Sequence, residues 1–554
     1  MKRLMLLLVL LLGASAAWAD ETVTVDYASA LGPATHKASG VRGILPQYPP
    51  PTNVVADLKI STTVTDAGPW SGIAWINSTM RPYGLTYYIE ELGTGWNNGD
   101  MFHYPFPCDN NDCSSWAAYV TSKYQFDQSV GATDQVYAFW NEPDTNWLPP
   151  IDQFYQAWKS AYQTLHALNP NVKMTAPSPS EYGPSGYWVH QFLDYCKANG
   201  GIYPTYLNWH ELAAFSYPSV NAAVAADVVE ARAYMASIGA PDIPILIGEY
   251  AAQGSYHWAP GHAIQYAAVF ERSPTVLGAS RACYLGEING NSTCFKGAWN
   301  GMFPPDGSYQ PRSLYWAYKA YGDITGTMVS VTPGSSVDGA AGMTTNQTVT
   351  VLGRDNIGAP ETVTVQFTNL NSAPGFTGVS SVHVVANAIP NSGLNLMASM
   401  TKTIDADYPV SDQSVSIPVP NFGGLDAYQL ILTPGPGGLP SPLTFTPSTL
   451  SAGTVGIEYI KSITVSNGIP PYSCSGTSAP PGLVWSRSRS NTCVLSGTPT
   501  TAGSFGTTLT ATDSRSPTYT STFQLYSLTI APAIQRDSLN AMDASSERDR
   551  RRFR

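Results

Sequence analysis

Between residues 40 and 325, strand-like runs alternate with helical ones, and that alternation limits the fold more than any other feature of the sequence. Successive βα units imply a parallel sheet. Strands are expected at 58–64, 85–89, 136–140, 172–176, 206–209, 243–250 and 282–285, with helices at 116–126, 151–168, 220–238 and 314–321. The clearest helix is 151–168: Ile151, Phe154, Tyr155, Trp158, Tyr162, Leu165 and Leu168 share one stripe, and Asn169-Pro170 stops it. Ser219 is placed to cap 220–238, which Gly239 ends. The pattern predicts an α/β region with a parallel sheet over 40–325.

Two of these runs end alike. Tyr137-Ala138-Phe139-Trp140 is apolar and bulky, as a buried strand requires, and closes on Asn141-Glu142 before Pro143 turns the chain out of the ladder. Ile243 to Ile247 is unbroken by charge, as in a strand covered on both faces, and delivers Glu249 in the same way. If Glu142 ends the fourth strand, Glu249 ends the seventh. All strands of a closed barrel open their carboxyl ends on one face, so the two glutamates are expected to converge. Taken alone, an Asn-Glu-Pro turn can do no more than end a strand. Two carboxylates across a sugar ring can do more: one protonated to donate to a leaving oxygen, the other ionised to attack the anomeric carbon.

Composition narrows the partners. A chain of 554 residues is too long for one core. Charged residues are 12%, against about 25% usually, and 32 Tyr and 14 Trp accompany them, which suits a surface that handles neutral polymers. A net charge of -11 argues against nucleic acid, which calls for basic stripes. Met1-Lys2-Arg3, the apolar run to Leu12 and Ala17-Trp18-Ala19 read as a secretion leader, residues 1–19, cleaved after Ala19. No other stretch approaches the roughly 20 apolar residues of a membrane span, so an exported, extracellular or periplasmic protein is expected. Seven cysteines fit that compartment: Cys108 with Cys113, Cys283 with Cys294 and Cys474 with Cys493 could each close a local disulfide. Cys196 is left over as a buried thiol. Without a histidine cluster the cysteines give no zinc site, and no metal or other cofactor is expected.

Outside the barrel the pattern is all β. Residues 21–27 alternate polar and apolar, a half-buried strand within an N-terminal segment, 20–39, that belongs either to the main fold or to a sandwich. Short strands at 348–352, 362–367, 382–386, 415–419 and 427–432 predict an accessory β-sandwich over 326–433. A Pro/Gly linker follows at 434–442. A second, immunoglobulin-like β-sandwich is expected over 443–531, and the polar remainder, 532–554, reads as a disordered tail.

Trp140-Asn141-Glu142-Pro143 and Ile247-Gly248-Glu249-Tyr250 resemble the two signature strands of clan A glycoside hydrolases. Trp209-His210-Glu211, Phe303-Pro304-Pro305-Asp306-Gly307 and Leu314-Tyr315-Trp316-Ala317-Tyr318 extend the resemblance, within that clan, to family 39, which includes β-xylosidases and bacterial exopolysaccharide hydrolases. It implies an α/β (β/α)8 TIM barrel over 40–325 and a retaining enzyme acting on extracellular poly- or oligosaccharide, with Glu142 as acid/base, Glu249 as nucleophile and Asn141 bonding the sugar 2-hydroxyl. His210 matches a sixth-strand histidine and is equally readable as a structural hydrogen-bonder. The family carries a tyrosine two residues later where this chain has Leu212, and Tyr217 is the candidate substitute. Of Glu181, Glu211 and Glu287, the last is the one expected to face the cleft. Trp147, Trp258 and Trp299 are candidates for stacking on sugar, with core packing as each one's ordinary role; Trp299 is carried as a substrate contact. Ala479-Pro480-Pro481-Gly482-Leu483, Leu495-Ser496-Gly497-Thr498-Pro499-Thr500 and Ala502-Gly503-Ser504-Phe505 resemble an immunoglobulin-like domain common in secreted bacterial proteins, usually a spacer or a unit for cell-surface or matrix attachment. The competing reading is a non-catalytic carbohydrate-binding or adhesion protein on a barrel scaffold.

Overall fold

The computed structural model describes residues 21–43, 50–66, 76, 80–96, 105–183, 186–212, 220–252, 254–283, 293–294, 297–435, 443–466, 472–488, 492–513 and 521–533. The leader, the linker from 436, Ser219, Tyr217, Glu287 and the tail from 534 lie outside them. Two compact units divide at Gly435 and Pro436. No helix among the described residues is long and apolar enough to cross a membrane.

Eight parallel strands close a barrel: Gly40–Arg42, Thr62–Asp66, Tyr87–Glu91, Val136–Ala138, Lys173–Pro177, Tyr206–Glu211, Ile245–Tyr250 and Val276–Arg281. Helices Ile151–Leu168 and Val220–Ile238 run over the expected residues, and the first lays Phe154, Trp158, Ala161 and Leu165 against the sheet. The expected strand at 58–64 starts later, because Thr52–Leu58 is a helix. The eighth strand also differs. It is Val276–Arg281, not 282–285: Val-Leu-Gly-Ala-Ser-Arg lacks the long apolar run that marks the seventh.

An aromatic cluster backs the fourth strand. Phe106, Trp116, Phe139, Trp140, Trp147, Phe154 and Trp158 are buried together, with Trp140 and Trp147 edge to face at 4.8 Å and Phe139 and Phe154 at 4.9 Å. Edge-to-face pairs add to what burial alone contributes. Trp147 is therefore core rather than a sugar platform. So is Trp258, 3% exposed, with the Arg312 guanidinium 5.1 Å from its ring centre.

A nine-stranded sheet completes the first unit. It contains the expected strands as Thr348–Arg354, Glu361–Thr368, Ser381–Ile389, Val415–Phe422 and Ala427–Pro434, and adds Thr327–Thr332, Val337–Met343 and Thr401–Pro409. The N-terminal strand, Glu21–Pro33, joins this sheet, antiparallel to Thr327–Thr332 and parallel to Glu361–Thr368. The barrel is thus inserted between two neighbouring antiparallel strands. Val23, Val25, Tyr27, Phe367, Ile417 and Leu430 belong to one apolar core of the sheet. The barrel meets this sheet through helix Pro260–Arg272, buried nearly throughout, and through helix Ser313–Gly322. A Cβ at Gly261 would lie 2.1 Å from Arg354 O, so only glycine admits that approach. Gln265 donates to Gly353 O at 2.7 Å, and Arg272 pairs with Asp338.

The second unit is a sandwich of two four-stranded sheets. Thr444–Thr446, Tyr459–Ser466, Thr492–Gly497 and Leu483–Ser488 form one; Gly453–Thr454, Ser521–Ala531, Gly503–Thr512 and Ser473–Thr477 form the other. Cys474–Cys493 ties the sheets together around Ile463, Val465, Leu509 and Tyr526. Cys108–Cys113 and Cys283–Cys294 are also bonded, and Cys196 is a buried thiol.

Candidate active site

Glu142 follows the fourth barrel strand and Glu249 lies near the end of the seventh. Pro143 starts a one-turn helix, Pro143–Asn146, and Glu142 is the residue before it, with φ at 46°. A left-handed backbone in a residue with a side chain costs on the order of 1–3 kcal/mol. It is held there by Thr145 N–H and Asn146 N–H, which donate to Glu142 O at 3.0 and 2.8 Å. The turn aims the carboxyl into the barrel mouth, where Glu249 waits. One carboxylate oxygen of Glu142, one of Glu249 and a ring nitrogen of His210 all lie within 4.8 Å of one another.

His210 joins the pair. Its Nδ1 is 3.1 Å from Glu142 Oε1 and 4.0 Å from Glu249 Oε1, and its Nε2 is 3.2 Å from Ser178 Oγ. Arg42, from the first strand, bonds Glu91 with both ends of its fork at 2.6 and 2.8 Å, and reaches Glu249 Oε1 at 2.9 Å. Thr94 Oγ1 donates to Glu91 Oε2 at 3.0 Å. Sequence reasoning missed Arg42, Glu91 and Ser178. Gly40–Arg42 is three residues long and has no apolar run to announce it. The one available signal was Glu90-Glu91 closing the third strand.

Three carboxylates thus share one permanent cation in a buried site, and the cluster draws protons in. Burial alone would discharge His210, but Glu249 and Glu142 outweigh it and its pKa rises. Burial raises Glu249 above the ordinary carboxylate value, opposed by Arg42 and His210. Burial would raise Glu142 too, but the hydrogen bond and charge of His210 prevail and hold it low. The three ligand atoms could in principle grip a metal ion. Arg42 argues against that use, because its guanidinium bonds Oε1 of Glu249, the oxygen that faces His210.

Asn141, 4% exposed, sits beside Glu142 with Oδ1 buried and lacking a hydrogen-bond partner among the described residues. Trp299 is 6% exposed, so it offers no broad open platform. Its turn is pinned to the mouth by Asn300, whose Nδ2 donates to Arg42 O at 3.1 Å. Glu211 is turned away from His210, as strand alternation requires, and accepts Trp209 Nε1 at 2.6 Å. Burial and Asp227 push it well above the ordinary value. Glu181 bridges to Glu211 through the backbone.

Fold and site together define a class: a TIM-barrel protein with two carboxylates converging at the carboxyl ends of its strands. No family model and no curated protein matches the chain. Among solved structures it is similar to N2152 from Neocallimastix frontalis, 24% identical with a TM-score of 0.62, over 75% of this chain and 99% of that one. It is similar also to a glucosidase from Croceicoccus marinus, 13% identical with a TM-score of 0.54, over 75% and 99%. A third is BuGH86E322Q in complex with neoagarooctaose, 10% identical with a TM-score of 0.50, over 87% and 96%. At these identities the likeness is one of fold.

Proposed function

We propose that the protein is a secreted retaining O-glycoside hydrolase that cleaves extracellular poly- or oligosaccharide by double displacement. One observation carries the reading: carboxylate oxygens of Glu142 and Glu249 lie within 4.8 Å of each other. Retaining enzymes hold their carboxyl groups about 5–5.5 Å apart, whereas inverting ones need roughly 6.5–9.5 Å to admit a water. That two structures of similar fold are a glucosidase and a complex with neoagarooctaose supports a carbohydrate substrate. The clan resemblance of Trp140-Asn141-Glu142-Pro143 supports the same roles, with family 39 the finer assignment.

In the first step Glu249 attacks the anomeric carbon, the glycosidic C–O bond breaks, and Glu142 gives its proton to the departing oxygen. In the second, Glu142 takes a proton from water, the resulting hydroxide equivalent attacks the same carbon, and the ester to Glu249 breaks. The Glu142–His210 hydrogen bond stores the acid's proton, and a sugar covering Glu142 favours its return to the carboxyl. Asn141 Oδ1 accepts from the 2-hydroxyl. Trp299, Tyr217 and Glu287 are proposed substrate contacts, the last two on sequence alone. The C-terminal sandwich is read as an immunoglobulin-like spacer or attachment module, and the leader as an export signal.

A panel of 2-deoxy-2-fluoro glycosides tests the chemistry. Stoichiometric labelling of Glu249, with release of product of the starting anomeric configuration, is the expected result. Absence of labelling and turnover across the panel and across plant and bacterial polysaccharides would instead favour a carbohydrate binder.

A further inference from the structure

Glu142 follows the fourth strand and Glu249 lies near the end of the seventh, so their spacing depends on what crosses the fifth and sixth. A chain of three hydrogen bonds, among those of the ladders, runs from one to the other. Glu142 N–H donates to Ser178 O at 2.9 Å, and Ser178 N–H donates to Asn208 O at 2.9 Å. Gly248 N–H then donates to Asn208 Oδ1 at 2.9 Å. The first two are main-chain bonds. The third uses a side chain because the register slips there: Trp209 pairs with Ile247 and His210 with Glu249, which leaves Gly248 outside the ladder. Such a bulge re-aims the next side chain and frees a backbone group. The Asn208 amide, 2% exposed, receives it. A Cβ at position 248 would come within 2.6 Å of Asn208 Oδ1 and 3.0 Å of His210 Nε2, so glycine is what lets amide and backbone meet. Arg42 and His210 hold the carboxylate of Glu249; among the described residues, Asn208 holds the backbone just before it.

We propose that Asn208 is a positioning residue that sets the gap between the two carboxylates by pinning the bulge at Gly248. It acts through Glu249 and makes no contact with the sugar. The inference rests on the hydrolase reading, and it deepens it: the separation on which retention depends hangs on one amide.

The test compares labelling by the fluoroglycoside that reacts with wild type, together with kcat, KM and thermal melting, in wild type, Asn208→Ala and Asn208→Asp. A displacement near 1 Å costs about 10²-fold in rate. Asn208→Ala should therefore label Glu249 on the order of 10²-fold more slowly, with the loss in kcat rather than KM. Asn208→Asp keeps an acceptor at the same place and should recover most of that rate. Its added charge beside Glu249 should also move the acid limb of the pH profile upward. A folded Asn208→Ala that labels at the wild-type rate overturns the inference. Equal impairment of the Ala and Asp variants does so as well, since a merely structural role has no reason to be rescued by the acceptor. If Asn208→Ala fails to fold, Asn208→Ser, whose hydroxyl is too short to reach, takes its place with the same expectations. A wild type that no fluoroglycoside labels sinks the hydrolase reading itself and this inference with it; labelled wild type with unaffected variants sinks the inference alone.

Discussion

Glu249 and Glu142 are charged by their neighbours in different ways, and the consequences separate cleanly by substitution. Glu249 is buried and bonded to Arg42, which keeps Glu91 as a bidentate partner if the glutamate is removed. Glu249→Ala should thus fold normally, by melting temperature, and lose turnover. Glu142→Ala should lose about 10²–10⁴-fold on an unactivated glycoside, the usual contribution of a general acid, and little on a dinitrophenyl glycoside, whose leaving group needs no proton. Full activity of Glu142→Ala on the unactivated substrate would remove it as the acid. The pH profile belongs to the same cluster. Its acid limb follows ionisation of Glu249, which burial raises, and its basic limb follows loss of the proton shared by Glu142 and His210, which the carboxylates raise. Replacing His210 with Asn removes a positive neighbour of Glu249 and the proton store of Glu142. The acid limb should move up, because Glu249 loses a positive neighbour that opposes its burial. An unchanged profile would make His210 a spectator.

Behind the third strand lies a different carboxylate. Glu90 points into the layer between sheet and helix Ser114–Ser129, where Lys123 Nζ is 2.5 Å from its Oε1 and is shared with Asp127. One cation serves two buried acids, and burial leads the rise of Glu90 from 4.5 to about 8. The folded state therefore prefers the protonated carboxyl. As pH climbs from 4.5 towards 8 the unfolded chain releases its proton first, so stability should fall through that window. Glu90→Gln should flatten the slope in urea titrations run from pH 4.5 to 8. In the second unit, breaking Cys474–Cys493 reopens the two sheets and should cost about 3 kcal/mol. Elements also differ in how plainly the sequence shows them. The helix 151–168 and the fourth and seventh strands were legible because apolar spacing alone specifies them, and the two strands brought Glu142 and Glu249 with them. Gly40–Arg42, Val276–Arg281 and the largely exposed strand Thr401–Pro409 were not, since their pairing is dictated by neighbours far away in the chain. Arg42 and Asn208 were hidden for a related reason. Each matters for a group on another strand, and no local pattern records that.

At the scale of the molecule, barrel and nine-stranded sheet cover each other through helix Pro260–Arg272, which the barrel alone would leave half bare. A chain stopped after residue 325 should be insoluble or molten, as binding of a hydrophobic dye would report. A chain stopped at Gly435 should keep the melting transition of the first unit and whatever turnover the full protein shows. Loss of that turnover would give the second unit a part in catalysis. The insertion of the barrel between Glu21–Pro33 and Thr327–Thr332 has a mechanical side. Pro33 lies opposite Thr327, so the chain leaves the sheet and re-enters it at one place. Tension applied between residue 21 and Gly435 runs through the strands of the sheet and bypasses the barrel. The site at the barrel mouth stays out of the load path until the sheet itself tears.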